Sequence, residues 1–255
     1  MIASFPCVLP SSVSRGTERG LVLHGWGQSA AYWQPVARHL AQSGIALFCP
    51  DMPTLAAMSS APQGSAERLQ QIVDQLTVTA LASDITAILA HSAGAPAGVL
   101  LAERINLPLV LIEPLPHQLG LASQSKVNRL RSTQQNGTLM DRLKQQYPFA
   151  QPGTLETIAA ALPDEIPQLE LILNTTASAR GLLVRTSLEK LRKTLLIVRG
   201  GRSALLGEEE TNIILAAIPQ AKTVVIPNAG HSPHIDTPNQ LFQIITEILR
   251  QNTSI

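Results

Sequence analysis

The chain has 255 residues, of which 45% are apolar and 15% are charged, and its formal net charge is +1. This length is sufficient for one large α/β domain or two small ones. The balanced charge argues against nucleic acid or an anionic membrane surface as a partner. With Cys7 and Cys49 as its two cysteines, the sequence predicts neither a disulfide framework nor a cysteine-rich metal site.

The hydropathy pattern argues against insertion into a membrane or secretion. No stretch approaches the ~18 apolar residues that a membrane-spanning helix needs. The N-terminal segment 1–16 has neither the basic region nor the long apolar core of a secretory signal. The sequence therefore predicts a soluble, cytoplasmic protein.

Short apolar runs alternate with longer stretches of helical periodicity. We predict strands at 21–23, 45–49, 85–90, 109–112, 195–198 and 223–226, and helices at 30–43, 65–82, 93–105 and 240–250. Alternation of this kind is typical of a parallel sheet that is covered by helices on both faces.

The alternation is interrupted between residues 115 and 193, where proline and glycine divide several short helical patterns and no strand is predicted. We interpret this segment as a helical lid, inserted between the two parts of the core, 1–114 and 194–255. The segment carries ten basic and six acidic residues, so that its net charge is +4 and that of the remaining chain is −3.

A serine lies at a predicted strand-to-helix transition. The strand that ends at Ala90 leads directly into His91-Ser92-Ala93-Gly94, and a helix follows. Such a sharp turn presents the serine hydroxyl at the carboxyl edge of a sheet, and it needs small residues two positions before and after the serine. The usual pattern is G-x-S-x-G, and here the first glycine is Ala90, the smallest replacement. Ser92 is therefore a candidate nucleophile, and the alternative is a serine that caps an ordinary helix.

A glycine-flanked turn, His24-Gly25-Trp26-Gly27, follows the first predicted strand. Acyl transfer develops negative charge on a carbonyl oxygen, and preorganised backbone N–H groups stabilise that charge. The Trp26 amide and the Ala93 amide are the candidate donors of such an oxyanion hole. The alternative is a plain glycine turn without a catalytic role.

Two histidines follow the last predicted strand. His231 comes directly after Gly230, on a loop from which its ring could reach the Ser92 hydroxyl as a general base. His234 lies three residues farther on, and we interpret it as a packing or surface residue. In one large fold of hydrolases, the nucleophile likewise precedes the histidine in the chain.

Together these motifs resemble the α/β-hydrolase superfamily. The segments LVLHGWG, CPDMP, AHSAG, LVLIEP, LLIVRGGRS and NAGHSPHIDTP stand in the order and spacing of that family. The resemblance implies an eight-stranded, mostly parallel sheet with a helical lid after the sixth strand. It also implies Ser92 as nucleophile, His231 as base, and the Trp26 and Ala93 amides as oxyanion hole. The size and the HGWG loop are similar to those of small-lid carboxylesterases that act on acyl-carrier-protein methyl esters.

The sequence departs from the family at the acid that should orient the histidine. The family pattern after this strand is about Arg-Gly-x-x-Ser-Asp, whereas here Ala204 stands at the aspartate position. Four interpretations remain open. In the first, Glu113, directly after the strand 109–112, supplies the carboxylate, as at the same strand end in some haloalkane dehalogenases. In the second, one of the glutamates at 208–210 reaches back to the histidine. In the third, the site uses serine and histidine alone for a non-hydrolytic step. In the fourth, Ala204 is an engineered substitution.

The motifs favour a serine hydrolase that cleaves an ester or thioester through an acyl-enzyme on Ser92. The alternatives are a lyase, cyclase or isomerase of the same fold and a catalytically silent ligand-binding protein. There is no G-x-G-x-x-G after the first strand and no metal-ligand spacing, so the sequence predicts neither a cofactor nor a metal. We expect a small-molecule acyl substrate, and the basic segment favours an anionic or carrier-bound one. The sequence leaves the oligomeric state open.

Overall fold

The computed structural model describes residues 6–8, 18–25, 27–50, 52, 61, 65–121, 138–161 and 178–251. These residues form one sheet with the strand order β1-β3-β2-β4-β5-β6-β7. Its strands are β1 (Pro6–Val8), β2 (Arg19–Leu23), β3 (Ala46–Phe48), β4 (Ala87–His91), β5 (Leu109–Ile112), β6 (Leu195–Gly200) and β7 (Lys222–Ile226). β1 is antiparallel to β3, and all other neighbouring strands are parallel.

The predicted α/β class and mostly parallel sheet are confirmed, but the predicted count of eight strands is not. The described residues form seven strands, six of them in the parallel part. The sequence analysis missed β1 because three residues are too few to show alternation of apolar and polar side chains.

The described helices flank the sheet in chain order. They are α1 (Gln34–Gln42), α2 (Ala66–Ala82), α3 (Ala95–Ile105), α4 (Leu139–Gln146), α5 (Thr154–Ala161), α6 (Ser178–Glu189), α7 (Glu208–Ala217), α8 (Pro233–Asp236) and α9 (Pro238–Gln251). Short 3₁₀ turns precede α1 and α3, at Ala30–Trp33 and Ser92–Gly94. None of the described helices is both long and apolar enough to cross a bilayer.

The sheet separates two apolar layers because successive side chains of a strand point to opposite faces. In β5, Leu109 and Leu111 pack on the side of α2, α3 and α6, whereas Val110 and Ile112 pack on the side of α1 and α9. All four side chains are buried. Because both faces of the sheet are buried, the sequences of the central strands are continuous apolar runs.

The segment 115–193 lies between β5 and β6, and its described part contains three helices and no strand. Apolar residues of α4 and α5 join the core layer beside α1, whereas α6 packs in the layer of α2 and α3. The remaining parts, 122–137 and 162–177, lie outside the described residues. The division of the chain into a core and a lid stays an interpretation.

Candidate active site

The turn at Ser92 has the backbone strain that a sharply presented side chain requires. Ser92 has a φ of +45°, in the left-handed region that residues other than glycine seldom adopt. It directly follows β4 and opens the 3₁₀ turn that leads into α3. A Cβ atom on Gly94 would lie 2.3 Å from the Leu23 carbonyl oxygen, so the close approach of β2 requires a glycine there.

The alanine that replaces the first glycine of the motif fits because the facing helix lacks a side chain. Ala90 is fully buried, and its Cβ lies opposite Gly98 of α3. A Cβ atom on Gly98 would approach the Ala90 Cβ to 2.5 Å. One methyl group between strand and helix is therefore accommodated, and a second one is not.

His231 lies between Ser92 and Glu113. Its Nε2 is 3.0 Å from Ser92 Oγ, and its Nδ1 is 2.8 Å from Glu113 Oε2. The His231 side chain is 26% exposed, whereas the Glu113 side chain is completely buried. The loops that follow β4, β5 and β7 meet at the carboxyl edge of the sheet, where ligands bind in open α/β folds.

The Glu113 carboxylate is held by hydrogen bonds on both of its oxygens. Oε1 accepts a hydrogen bond from the Gly200 amide at 2.7 Å. Oε2 accepts one from the Ser203 hydroxyl at 2.5 Å, in addition to its contact with His231. The backbone of Glu113 is also left-handed, with a φ of +53°. These contacts fix the carboxylate in the orientation in which it meets the imidazole.

The other carboxylates that the sequence analysis considered lie in the first turn of α7. Glu208 and Glu209 are exposed. Glu210 Oε2 accepts a hydrogen bond from the Gly207 amide at 2.9 Å and so caps the helix. Of the carboxylates considered from the sequence, Glu113 is the one that contacts the His231 ring.

Ala204 is exposed, and it is the preceding residue that turns toward the site. The Ser203 hydroxyl donates to Glu113 and accepts from the Leu205 and Leu206 amides. The sequence analysis did not identify Ser203, although it lies in the segment LLIVRGGRS that carries the family resemblance. The sequence signal that could have identified Ser203 is its position directly before Ala204, where the family pattern has an aspartate.

Of the two residues expected to donate to an oxyanion, the structure describes Ala93. Trp26 lies outside the described residues. Ala93 is buried and is the second residue of the 3₁₀ turn, where a backbone N–H has no acceptor within the turn. The Ala93 amide is thus available at the same turn that presents Ser92.

Two titratable residues of α8, His234 and Asp236, are buried close to His231 in the chain. His234 stacks on Trp33 with parallel rings 4.3 Å apart, which agrees with the packing interpretation. Burial lowers its pKa well below the usual value for histidine. Asp236 accepts a hydrogen bond from the Gly230 amide at 2.8 Å, and burial raises its pKa to about 6. Among the described residues, no group of three or more His, Cys, Asp or Glu is placed to hold a metal ion.

Comparison with known proteins shows the family of this chain. Residues 21–244 match the family described as the alpha/beta hydrolase family. The chain belongs to the α/β-hydrolase family. It is therefore a hydrolase of that family, and relatives of the same fold include esterases and thioesterases.

The similarity to individual proteins is more distant. The chain is 26% identical over 94 residues to a pimeloyl-[acyl-carrier protein] methyl ester esterase of Yersinia pseudotuberculosis, a match that covers 37% of this chain and 36% of that protein. It resembles the thioesterase domain from the curacin biosynthetic pathway, with a TM-score of 0.64, 22% identity and 92% of each chain covered. It also resembles an esterase of Thermogutta terrifontis, with a TM-score of 0.61, 19% identity and coverage of 93% and 91%. The two structural likenesses show a shared fold.

Proposed function

We propose that the chain is a serine hydrolase that cleaves carboxylic esters or thioesters through an acyl-enzyme on Ser92. The observation that carries the proposal is the pair of contacts made by one ring, His231 Nε2 to Ser92 Oγ at 3.0 Å and His231 Nδ1 to Glu113 Oε2 at 2.8 Å. Nucleophile, base and orienting acid within hydrogen-bond reach are the arrangement that this chemistry needs.

In the first half of the reaction, neutral His231 accepts the Ser92 proton on Nε2 while Ser92 Oγ forms a bond to the carbonyl carbon. Glu113 accepts a hydrogen bond from Nδ1–H, which fixes the tautomer that leaves Nε2 free, and it stabilises the imidazolium that forms. His231 then donates the proton to the departing alkoxide or thiolate as the carbon–heteroatom bond breaks.

In the second half, water takes the place of the leaving group. His231 accepts a proton from the water, whose oxygen attacks the acyl carbon, and the proton passes to Ser92 Oγ as the acyl-enzyme bond breaks. The amides of Trp26 and Ala93 are the proposed donors to the carbonyl oxygen in both tetrahedral intermediates. In this assignment Ala204 has no part, because Glu113 supplies the carboxylate.

The substrate is proposed only as a class. An acyl compound that is anionic or bound to an acidic carrier fits the net charge of +4 on residues 115–193. The partial match to an esterase whose named substrate is a carrier-bound methyl ester supports the same class. The chain offers no sequence motif for a cofactor, so we propose that its own residues perform the hydrolysis.

A fluorophosphonate probe tests the mechanism directly because it forms a stable bond with an activated serine. We expect stoichiometric labelling of the wild-type protein and none of Ser92→Ala. Ser83→Ala is the matched control, because Ser83 ends α2 next to the start of β4, at the opposite edge of the sheet. Labelling that persists in Ser92→Ala would reject Ser92 as the nucleophile.

A substrate panel separates hydrolysis from the alternative activities of the fold. We would assay p-nitrophenyl esters and acyl thioesters of graded chain length, in steady state and by rapid mixing. A burst of leaving group followed by slower turnover indicates an acyl-enzyme. Turnover without labelling or burst would indicate hydrolysis without an acyl-enzyme on Ser92, and labelling without turnover of any panel member would favour a lyase, an isomerase or a binding protein.

A further inference from the structure

His91, the residue before Ser92, contacts the two other segments of the candidate active site. Its Nε2 lies 2.8 Å from the backbone carbonyl oxygen of His231. Its Nδ1 lies 3.1 Å from the side-chain amide oxygen of Gln28, which also accepts a hydrogen bond from the Gly25 amide at 3.3 Å. One buried ring therefore joins the nucleophile turn, the glycine turn after β2 and the loop that carries the histidine base.

The protonation of His91 follows from its surroundings. Burial, together with the neighbouring His231, lowers the His91 pKa to about 3, so the ring carries one proton at neutral pH. A carbonyl oxygen can only accept, so this proton lies on Nε2 and is donated to His231. Nδ1 then carries no proton, and it faces the side-chain amide of Gln28.

Packing leaves the His91 ring little room to move. The ring is 4.6 Å from the His234 ring and 6.4 Å from the Trp33 ring, both in edge-on arrangements. The His231 ring lies 5.2 Å away, and a Cβ atom on Gly25 would lie 2.6 Å from His91 Nδ1. Gly25 thus packs directly against the ring, and the direction of the Nε2–H donor is constrained.

We propose that His91 is a positioning residue, which holds the His231 backbone and the glycine turn in register with Ser92. The proposal rests on the proposed function, because it assigns His91 a role in setting the distance between His231 and Ser92. Neither ring nitrogen of His91 is bonded to Ser92 Oγ, because Nε2 contacts the His231 carbonyl oxygen and Nδ1 contacts the Gln28 side chain. Misplacement of a catalytic group by ~1 Å can cost about 100-fold in rate, and we therefore expect losses of about 10- to 100-fold in kcat without a matching change in KM.

Three substitutions separate the donor from the bulk of the side chain. His91→Gln can place its Nε2–H₂ where the histidine Nε2–H is, and it retains the donor to His231. His91→Asn reaches only the position of the histidine Nδ1, and His91→Phe keeps a ring without a donor. His39→Gln is the matched control, because His39 lies on α1 and contacts Phe242 rather than the site.

The experiment measures two quantities for each variant. The first is the rate of labelling by the fluorophosphonate probe, together with kcat and KM for the best ester of the panel. The second is the downfield proton resonance of the His231 Nδ1–H that faces Glu113, which reports the position of the base without any substrate. Circular dichroism and thermal unfolding establish that each variant is folded.

The proposal predicts wild-type values for His39→Gln, values near wild type for His91→Gln, and slow labelling with a lost or broadened resonance for His91→Asn and His91→Phe. It is overturned if the Phe and Asn variants keep the wild-type rate and resonance, or if folded Gln and Asn variants are equally impaired. If the Phe variant does not fold, the comparison of Gln with Asn decides. If the wild-type protein itself is not labelled, the proposed function fails, and the resonance alone still decides the role of His91.

Discussion

Glu113 and His231 are 118 positions apart in the chain, and Glu113 Oε2 lies 2.8 Å from His231 Nδ1. The contact forms because β5 and β7 run parallel, so that the residues following them emerge at the same edge of the sheet. The carboxylate follows β5 rather than β6, where the family pattern places its aspartate and this chain has Ala204.

Glu113→Gln should lower kcat by about 10³- to 10⁴-fold with little change in KM. The amide keeps the size of the side chain, but it can donate to His231 Nδ1 and so favour the tautomer that cannot accept the Ser92 proton. Steady-state kinetics on the best ester of the panel measure this effect. Glu210→Gln is the matched control, because Glu210 caps α7 and should stay within about twofold of wild type.

Ala204→Asp gives the complementary measurement. Because Ala204 is exposed and His231 Nδ1 already contacts Glu113, we expect no gain in kcat from the new carboxylate. A large gain would identify position 204 as the seat of the acid and would contradict the role of Glu113.

Ser203→Ala should lower kcat about tenfold. The Ser203 hydroxyl donates to the Glu113 oxygen that faces His231, and a hydrogen bond to a charged group contributes about 1.5–3 kcal/mol. Without this donor the carboxylate is less firmly oriented, although the Gly200 amide still holds its other oxygen. Ser203→Thr, which retains a hydroxyl, should lose less activity, and equal losses in the two variants would argue against a role for the hydroxyl.

Gly98→Ala should destabilise the fold by roughly 1–3 kcal/mol, because its new Cβ would lie 2.5 Å from the Ala90 Cβ. In the Ala90→Gly background the same substitution should be neutral or stabilising, since alanine is the better helix former by about 1 kcal/mol. A double-mutant cycle from urea unfolding measures the coupling between the two positions. Additive effects would show that strand and helix do not compete for this space.

His234→Phe should make stability less dependent on pH below 7. Burial holds the His234 pKa well below 6.5, so under mildly acidic conditions the unfolded chain binds a proton that the native state does not. Stability is then lost as the pH falls below about 6.5, by about 2 kcal/mol for one such histidine at pH 5. Phenylalanine keeps the ring facing Trp33 and cannot titrate.

Urea unfolding at pH 5, 6, 7 and 8 tests this expectation. If the larger phenylalanine ring fits poorly, it lowers the free energy of unfolding equally at every pH. The difference between wild type and His234→Phe in how steeply stability changes with pH then remains. Wild-type protein should still lose stability on acidification through His91, whose pKa is also lowered by burial. Parallel pH profiles for wild type and His234→Phe would contradict the prediction.

For an anionic or carrier-bound acyl substrate, kcat/KM should fall as the ionic strength rises. The net charge of +4 on residues 115–193 would attract such a substrate, and salt screens exposed charges beyond ~8 Å at physiological ionic strength. A neutral ester of the same chain length is the control and should show no salt dependence. Equal rates for both substrates at every salt concentration would reject the preference for negative charge.

Much of the fold could be predicted from local patterns. The predicted strand 109–112 coincides with β5, because four apolar residues are bounded by Pro108 and Glu113. The predicted helix 65–82 coincides with α2, whose start is set by the Ser65 side chain accepting from the Arg68 amide. The strand at 85–90 begins two residues later than predicted, at Ala87, because strand ends are set by pairing with a neighbour rather than by hydropathy.

The sequence by itself determined the order of the chemistry-bearing segments and the types of residue in them. Ser92 at a strand-to-helix turn and His231 after the last strand follow from spacing and local periodicity, which are short-range properties. Only the tertiary structure decided which carboxylate lies beside His231, that Ser203 binds it, and that His91 reaches the His231 carbonyl. These contacts join residues about 90 to 140 positions apart, and they depend on strand order and on the backbone angles at each strand end, which no local pattern encodes.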